Sequence, residues 1–107
     1  SPGPRLPIDY FFCSLAEDQG ASAIGIILSG TGTDGTYGLK AIKAAGGITF
    51  VQDPSSAKYD GMPRSALASG SADFSLTPEK IGKERVYRIV AKDASPKRKG
   101  KSGRKAA

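Results

Sequence analysis

Histidine and tryptophan are absent from this 107-residue chain, and cysteine and methionine each occur once. Without a second cysteine there can be no internal disulfide and no cysteine-based zinc cluster. Without histidine, the chain cannot itself supply the imidazole that takes a proton from a serine or cysteine nucleophile. A self-contained hydrolase triad is therefore excluded, and we expect no metal or other cofactor.

A long hydrophobic run is also missing. The apolar stretch at residues 23–28 is far too short to cross a bilayer, and no charged-then-apolar signal sequence precedes it. A chain of this length forms at most one small domain. We expect a cytoplasmic protein without membrane insertion, and since the chain opens on Ser-Pro-Gly-Pro, we expect a piece of a longer or processed protein.

The positive charge is confined to one end of the chain. Residues 1–91 hold nine basic and nine acidic residues, whereas residues 92–107 hold seven basic residues and one acidic residue. A basic run with Gly, Ser and Pro and little to bury predicts a disordered tail after a domain at 1–91. Such a tail could hold polyanions weakly, but a solvated terminus is the commoner case, so no specific nucleic-acid partner is predicted.

The most informative stretch is IGIILSGTGTDGTYGLKAIK at residues 24–43. Residues 23–28 predict a strand buried on both faces. Residues 29–35 predict a glycine-rich turn that leaves backbone amides uncovered. Leu39 and Ile42 then predict a helix that ends at Gly46. Asp34 therefore lies on a strand-to-helix turn, close to a helix N-terminus.

Three interpretations of this turn stay open on the residues alone. Asp34 could cap the helix that follows it, or it could orient a catalytic imidazole as the third member of a triad. The spacing of Gly30, Gly32 and Gly35 also matches a dinucleotide-binding fingerprint, with Asp53 about twenty residues further on as the ribose-binding acid. Against the dinucleotide, the charge of Asp34 would face the pyrophosphate.

The rest of the chain predicts further alternation of helix and strand. The strand at 48–52 follows the first by way of a helix, so the two should lie parallel in one sheet. The other predicted elements are a helix at 8–19, a helical turn after Pro54, a short helix from Met62 to Gly70, a strand at 73–76, and a final helix starting at Thr77 and carrying Ile81, Val86, Ile89 and Val90.

Several side chains have both a structural and a functional interpretation. Cys13 and Ser14 on the first helix are nucleophile types, but a lone cysteine beside aromatics is more often a packing residue. Asp53 is more simply a capping acid for the turn after it. In the structural interpretation, Met62 packs against the sheet and Arg64 is solvated or pairs with an acid. In the functional one, Met62 lines a substrate cleft and Arg64 faces an acidic partner.

A resemblance extends well beyond the glycine turn. The segments GTDG, VQDP and GMPRSA occur in that order within LSGTGTDGTYGLKAIKAAGG, TFVQDPSSAKYDGMPRSALASG and ADFSLTPEKI. From about Pro7 to about Ile81 the chain closely resembles the C-terminal half of the CheB-type protein-glutamate methylesterase domain of bacterial chemotaxis, and it is nearest to the form fused to a methyltransferase. The resemblance implies an α/β fold, three-layer α/β/α with a mostly parallel, Rossmann-like sheet, present here as its C-terminal part.

The resemblance also implies a chemistry. In that family the aspartate of the Gly-x-Asp-Gly turn completes a Ser-His-Asp triad, and Asp34 matches it here. The substrate would be glutamate methyl esters on the cytoplasmic helices of a chemoreceptor, and the partners would be the upstream half of the domain and a receiver or methyltransferase domain. The implied active-site loop is Gly30, Thr31, Gly32, Thr33 and Gly35, with Met62 and Arg64 on the substrate side.

The same resemblance implies that the chain alone is inactive. The family's serine and histidine lie upstream, and neither has a match in this chain. Thr31 stands where many relatives carry methionine, a departure that bears on the substrate-side wall but leaves Asp34 untouched. The alternatives to a methylesterase part are a small Rossmann-like dinucleotide-binding module and a non-catalytic remnant.

Overall fold

Helices and strands alternate along the chain. The computed structural model describes residues 6–84. Its elements are α1 (Pro7–Gln19), a 3-10 turn (Gly20–Ser22), β1 (Ile24–Ile27), α2 (Thr36–Ala44), β2 (Ile48–Gln52), a second 3-10 turn (Pro54–Ser56), α3 (Gly61–Ala68) and β3 (Phe74–Leu76). Residues 78–84 form a further helix, α4. Within this part of the chain, every helix is too short or too polar to cross a bilayer.

The three strands form one parallel sheet in the order β1-β2-β3. Ile24 pairs with Ile48 at the start of β1, and Phe50 pairs with Phe74 on the other side of β2. The predicted parallel arrangement is confirmed, with α2 and α3 as the crossover helices that parallel neighbours require. The carboxyl ends of all three strands lie at the same edge, so the loops after β1 and β2 are neighbours there.

The core lies between the sheet and the helices α1, α2 and α3. Its main cluster joins Ile27, Leu39, Val51 and Ala66, each 0–1% exposed. A second cluster contains Ala16, Ala23 and Ile42, and Phe12 packs against both clusters. Periodicity predicts an apolar face on each helix, and the apolar faces of all three helices pack on the same side of the sheet.

The expectation that the first strand is buried on both faces is wrong for one of them. Gly25 and Ile27 are buried, but Ile24 and Ile26 are only partly buried. Within residues 6–84, β1 pairs with β2 alone and forms an edge of the sheet. The side chains of Ile24 and Ile26 therefore have a neighbouring strand on one side only. In central β2, which has a strand on both sides, four of the five residues are buried.

The predictions for the end of the chain are tested only in part. α4 begins after Thr77, as predicted, and Ile81 on it is 3% exposed. Val86, Ile89 and Val90 lie outside the described residues. So do the predicted domain limit at residue 91 and the predicted tail at 92–107.

Candidate active site

The candidate active site is the glycine-rich loop between β1 and α2, at the carboxyl edge of the sheet. Gly32 and Gly35 both adopt positive φ angles, +84° and +98°, which favour glycine. Gly35 is also closely packed, because a Cβ built on it would lie 2.3 Å from Cδ1 of Ile27. Conformation and packing together fix the turn that carries Asp34.

The Asp34 carboxylate is held by the backbone of α1. Its Oδ2 accepts a hydrogen bond from the N–H of Ile8 at 3.1 Å, and its Oδ1 accepts one from the N–H of Asp9 at 2.9 Å. These two amides lie in the first turn of α1, where N–H groups have no partner within the helix. The residue before the helix, Leu6, supplies no side-chain cap. Asp34 therefore caps α1 from 25 residues further along the chain.

Asp9 makes the reciprocal contact. Its Oδ1 accepts hydrogen bonds from the N–H groups of Gly35 at 2.9 Å and Gly38 at 2.8 Å, and the residue is only 7% exposed. These amides form the N-terminus of α2, whose own N-cap position is a glycine without a side chain. The interpretation of Asp34 as the cap of the following helix is thus wrong, because Asp9 occupies that position.

Asp9 was missed by the sequence analysis. An acidic residue in the first turn of a helix is a usable signal, because carboxylates are favoured near helix N-termini. The signal would have pointed to α1 itself, however, whereas the structure directs the side chain to α2. A contact across 26 to 29 residues leaves no trace in local spacing.

The Asp34 carboxylate can accept more than these two bonds. An ionised carboxylate offers about four lone-pair sites on its two oxygens, and each Asp34 oxygen accepts one backbone N–H. The residue is only partly buried. An N–H donor placed beside it, such as an imidazole, would therefore meet an oriented acceptor.

The first turn of α3 forms the other side of the loop. The N–H of Met62 donates to the carbonyl of Gly30 at 2.8 Å, and the N–H of Gly30 donates to the carbonyl of Tyr59 at 2.8 Å. Met62 also packs against the main core cluster. A Cβ built on Gly61 would lie 3.0 Å from the amide nitrogen of Gly32. The packing interpretation of Met62 is therefore confirmed, and Met62 also borders the loop.

Arg64, on α3, pairs with the acid immediately before that helix. Its Nε lies 2.7 Å from Oδ2 of Asp60, and both side chains are largely exposed. The hydrogen bond from Arg64 holds the pKa of Asp60 below its ordinary value. The predicted pairing of Arg64 with an acid is confirmed, and its role toward a partner stays a prediction.

The loop after β2 is closed by its own contacts. Asp53 accepts hydrogen bonds from the N–H of Ser55 at 3.1 Å and from its hydroxyl at 3.0 Å, which confirms the capping interpretation. Gln52, a buried residue that the sequence analysis passed over, accepts from the N–H of Ser29 at 2.9 Å and donates to the carbonyl of Ser56. A polar residue at the buried end of a strand was the signal that could have identified it.

The same contacts disfavour a dinucleotide. A pyrophosphate binds the N–H groups at a helix N-terminus, but the buried carboxylate of Asp9 already accepts from Gly35 and Gly38 there. A dinucleotide would have to displace it. Asp53, the predicted ribose-binding acid, instead accepts a hydrogen bond from the hydroxyl of Ser55.

The two candidate nucleophiles of the first helix lie outside the glycine loop, and the described residues do not form a metal site. Cys13 and Ser14 line a groove between α1 and α2 together with Tyr10 and Tyr37. Cys13 is partly buried there and lies outside the glycine loop, and its packing role stays a prediction. Over residues 6–84, no three His, Cys, Asp or Glu side chains come together in a group that could hold a metal ion.

The chain is an α/β protein with a parallel sheet. Its glycine turn holds a carboxylate at the carboxyl edge of that sheet, which is where proteins of this class bind ligands and build their sites. A family model described as CheB methylesterase matches residues 1–85. The chain therefore belongs to the CheB methylesterase family. Several curated relatives carry the name protein-glutamate methylesterase/protein-glutamine glutaminase.

Individual relatives agree with this assignment. The chain is 43% identical over 77 residues to protein-glutamate methylesterase/protein-glutamine glutaminase 1 of Geobacter sulfurreducens, covering 72% of this chain and 21% of that protein. It is 54% identical over 77 residues to an uncharacterized 104.1 kDa protein of Rhodobacter capsulatus, covering 72% of this chain and 8% of that protein.

A solved structure has the same fold. The crystal structure of the Thermotoga maritima CheB methylesterase catalytic domain superposes with a TM-score of 0.75 at 28% identity, over 80% of this chain and 48% of that one. The predicted α/β class with a parallel sheet is confirmed. The chain spans about half of that domain and about a fifth of the Geobacter protein.

Proposed function

We propose that this chain is part of a protein-glutamate methylesterase that hydrolyses glutamate methyl esters on chemoreceptors, and that Asp34 is the acid of its Ser-His-Asp triad. The observation that carries the proposal is the Asp34 carboxylate, held by the amides of Ile8 and Asp9 at the carboxyl edge of the sheet. Membership of the family supports it. The remainder of the domain supplies the serine and the histidine, since this chain contains no histidine.

The proposed reaction is acyl transfer in two steps. The serine oxygen attacks the ester carbonyl while the histidine takes its proton, and the histidine then gives the proton to the departing methanol. Water attacks the acyl-enzyme with the same histidine as base, which frees the serine and the glutamate carboxylate. Asp34 accepts a hydrogen bond from the other ring N–H of the histidine and stabilises the imidazolium.

The two amide contacts explain why this chain would orient the histidine well. A carboxylate fixed at both oxygens has little freedom to rotate, so its position is settled before substrate binds. The Gly30 and Gly35 amides donate to Tyr59 and Asp9, so neither is counted as a donor to the developing oxyanion. Any stabilisation of that charge comes from other donors, in this loop or in the remainder of the domain.

Met62 and Arg64 are proposed for the substrate side. Met62 borders the loop at Gly30 and can present an apolar wall to the methyl ester. Arg64 is exposed and neutralised by Asp60, so an acidic receptor helix would compete with Asp60 for it. The proposal includes a cytoplasmic location and regulation by a receiver or methyltransferase domain.

The test measures methanol released from a methylated receptor. The 107-residue chain is assayed alone and mixed with the remainder of its domain, and we expect release only from the mixture. Asp34→Asn should then lower the rate by about 10⁴, as loss of the triad acid does in serine proteases. Asp53→Asn is the matched control, because it alters a carboxylate after the neighbouring strand and should leave the rate unchanged.

Stability separates the catalytic role of Asp34 from its capping role. Asparagine keeps one acceptor oxygen toward α1, so Asp34→Asn should lower the free energy of unfolding by only about 0.5–2 kcal/mol. A large loss of rate in a folded variant is expected. A folded, correctly associated wild-type mixture that releases no methanol would overturn the proposal in favour of a non-catalytic remnant.

A further inference from the structure

We infer that Asp9 is a positioning residue for Asp34, an inference that rests on the proposed function. Asp9 contacts the loop through both its backbone and its side chain. Its backbone N–H donates to Oδ1 of Asp34 at 2.9 Å, and its carboxylate accepts from the N–H of Gly35 at 2.9 Å. The residue that orients the Asp34 carboxylate therefore also holds the next residue along the loop.

The environment of Asp9 makes this contact strong. The residue is 7% exposed, and both hydrogen bonds to Gly35 and Gly38 end on the same oxygen, Oδ1. A carboxylate that accepts from backbone amides at a helix N-terminus is favoured by charge and by the helix dipole. Removing it would leave these amides without that acceptor in a buried place.

The two helices α1 and α2 pack so closely that neither can shift without the other. A Cβ built on Gly38 would lie 2.5 Å from Cβ of Phe12 and 3.1 Å from Cα of Asp9. The first turn of α1 thus lies directly on the first turn of α2. The two exchanged carboxylates, Asp9 onto α2 and Asp34 onto α1, connect these turns into one unit, and a change at Asp9 is transmitted to Asp34.

The test compares Asp9→Ala with Asp9→Asn in the mixture of this chain with the remainder of its domain. Asparagine retains an Oδ1 that can accept both amides, so Asp9→Asn should keep kcat within a few-fold of wild type. Asp9→Ala should lower kcat by about 10² with little change in KM, the effect expected of a catalytic group misplaced by about 1 Å.

The pH profile provides a readout that a purely structural role would not move. Asp34 stabilises the imidazolium, so its displacement lowers the pKa of the histidine. The acid limb of the kcat/KM profile, which reports that pKa, should shift to lower pH in Asp9→Ala and return in Asp9→Asn. The control is Ala16→Gly, which destabilises α1 in the second core cluster by about the cost of a mid-helix glycine and should leave the limb in place.

Amide hydrogen exchange in the 107-residue chain tests the inference without any activity. Asp9→Ala should accelerate exchange at the amides of residues 8 and 9, which donate to Asp34, far more than Ala16→Gly does. If the wild-type mixture is inactive, the proposed function fails and exchange alone decides on Asp9. Unchanged exchange at these two amides, or an acid limb that stays in place in an active Asp9→Ala, would overturn the positioning role.

Discussion

The sulfur of Met62 lies over the Cα of Gly30, so that a Cβ built on Gly30 would fall 2.5 Å from it. The same two residues are joined through the backbone, where the N–H of Met62 donates to the carbonyl of Gly30 at 2.8 Å. The first glycine of the loop therefore allows a close approach to the first turn of α3. Its φ angle is not positive, so the need for glycine here is steric rather than conformational.

Gly30→Ala should therefore destabilise the chain through its contact with Met62. We expect the free energy of unfolding in urea to fall by about 1 kcal/mol, the lower end of the usual cost of overpacking, because the flexible and partly buried Met62 side chain can move aside. Part of this loss should be absent in the Met62→Ala background, with a coupling energy above about 0.5 kcal/mol in the double-mutant cycle.

Gly82→Ala is the matched control for Gly30→Ala. Gly82 lies in helix α4, and a Cβ built on it meets no heavy atom within 4 Å. Alanine is favoured over glycine in helices, so this variant should be at least as stable as wild type. Equal destabilisation by both variants, or zero coupling to Met62, would contradict the steric explanation.

Gly35→Ala should be the most damaging alanine substitution in the loop. The φ angle of Gly35 is +98°, and an added Cβ would lie 2.3 Å from Cδ1 of the buried Ile27. Gly70→Ala is a matched control, since Gly70 has a φ of +76° but no atom within 4 Å. We expect Gly70→Ala to cost about 1–2 kcal/mol from backbone strain alone and Gly35→Ala to cost clearly more.

Thermal or urea unfolding of the two variants measures this difference, which isolates the contact with Ile27 from the shared strain. If Gly35→Ala were no worse than Gly70→Ala, then Ile27 would have to yield without cost. A core cluster at 0–1% exposure leaves little room for that movement.

Local pattern predicted most of the fold. The β-branched and aromatic run at Ile48–Gln52 gave the bounds of β2 as the structure has them. The spacing of Leu39 and Ile42 predicted α2, and both side chains are fully buried. These elements are set by short-range periodicity. The burial of β1 was not predictable in the same way, because it depends on which strands flank it.

Less of the candidate site could be predicted, because its geometry depends on contacts between distant residues. The glycines and Asp34 placed the loop correctly at the carboxyl edge of the sheet. The direction of the Asp34 carboxylate, however, depends on α1, and the acceptor for the α2 amides is Asp9 rather than a neighbour in sequence. Exchanged caps of this kind become visible only once both helices are packed.

The ion pair between Lys43 and Asp73 should make stability depend on pH in the acid range. Partial burial raises the pKa of Asp73, but the hydrogen bonds from Lys43 and from the Thr49 N–H and the charge of Lys43 outweigh it and hold the pKa below its ordinary value. Because the folded-state pKa is the lower one, the stabilisation is present above the unfolded-state pKa of about 4. It is lost as the pH falls through the folded-state value.

Lys43→Met tests this contribution. The Lys43 side chain is 49% exposed and that of Asp73 22%, so solvent screening limits the pair to about 1 kcal/mol or less. We expect Lys43→Met to lower the free energy of unfolding at pH 7 by that amount and to reduce its change between pH 7 and the acid range. Lys40→Met, an exposed lysine on the same helix, is the control, and an identical pH dependence in both variants would contradict the assignment.

NAD should not stabilise this chain, although its glycines match a dinucleotide fingerprint. A ligand at about a hundredfold excess over its dissociation constant adds about 2.7 kcal/mol to the stability of a protein that binds it. Here the amides of Gly35 and Gly38 already donate to the buried Asp9 carboxylate, and a pyrophosphate would meet that negative charge. Thermal unfolding with and without millimolar NAD measures the effect. A clear rise in the midpoint that vanishes in Asp53→Ala would show that the fingerprint binds after all and that the Asp9 contact gives way to phosphate.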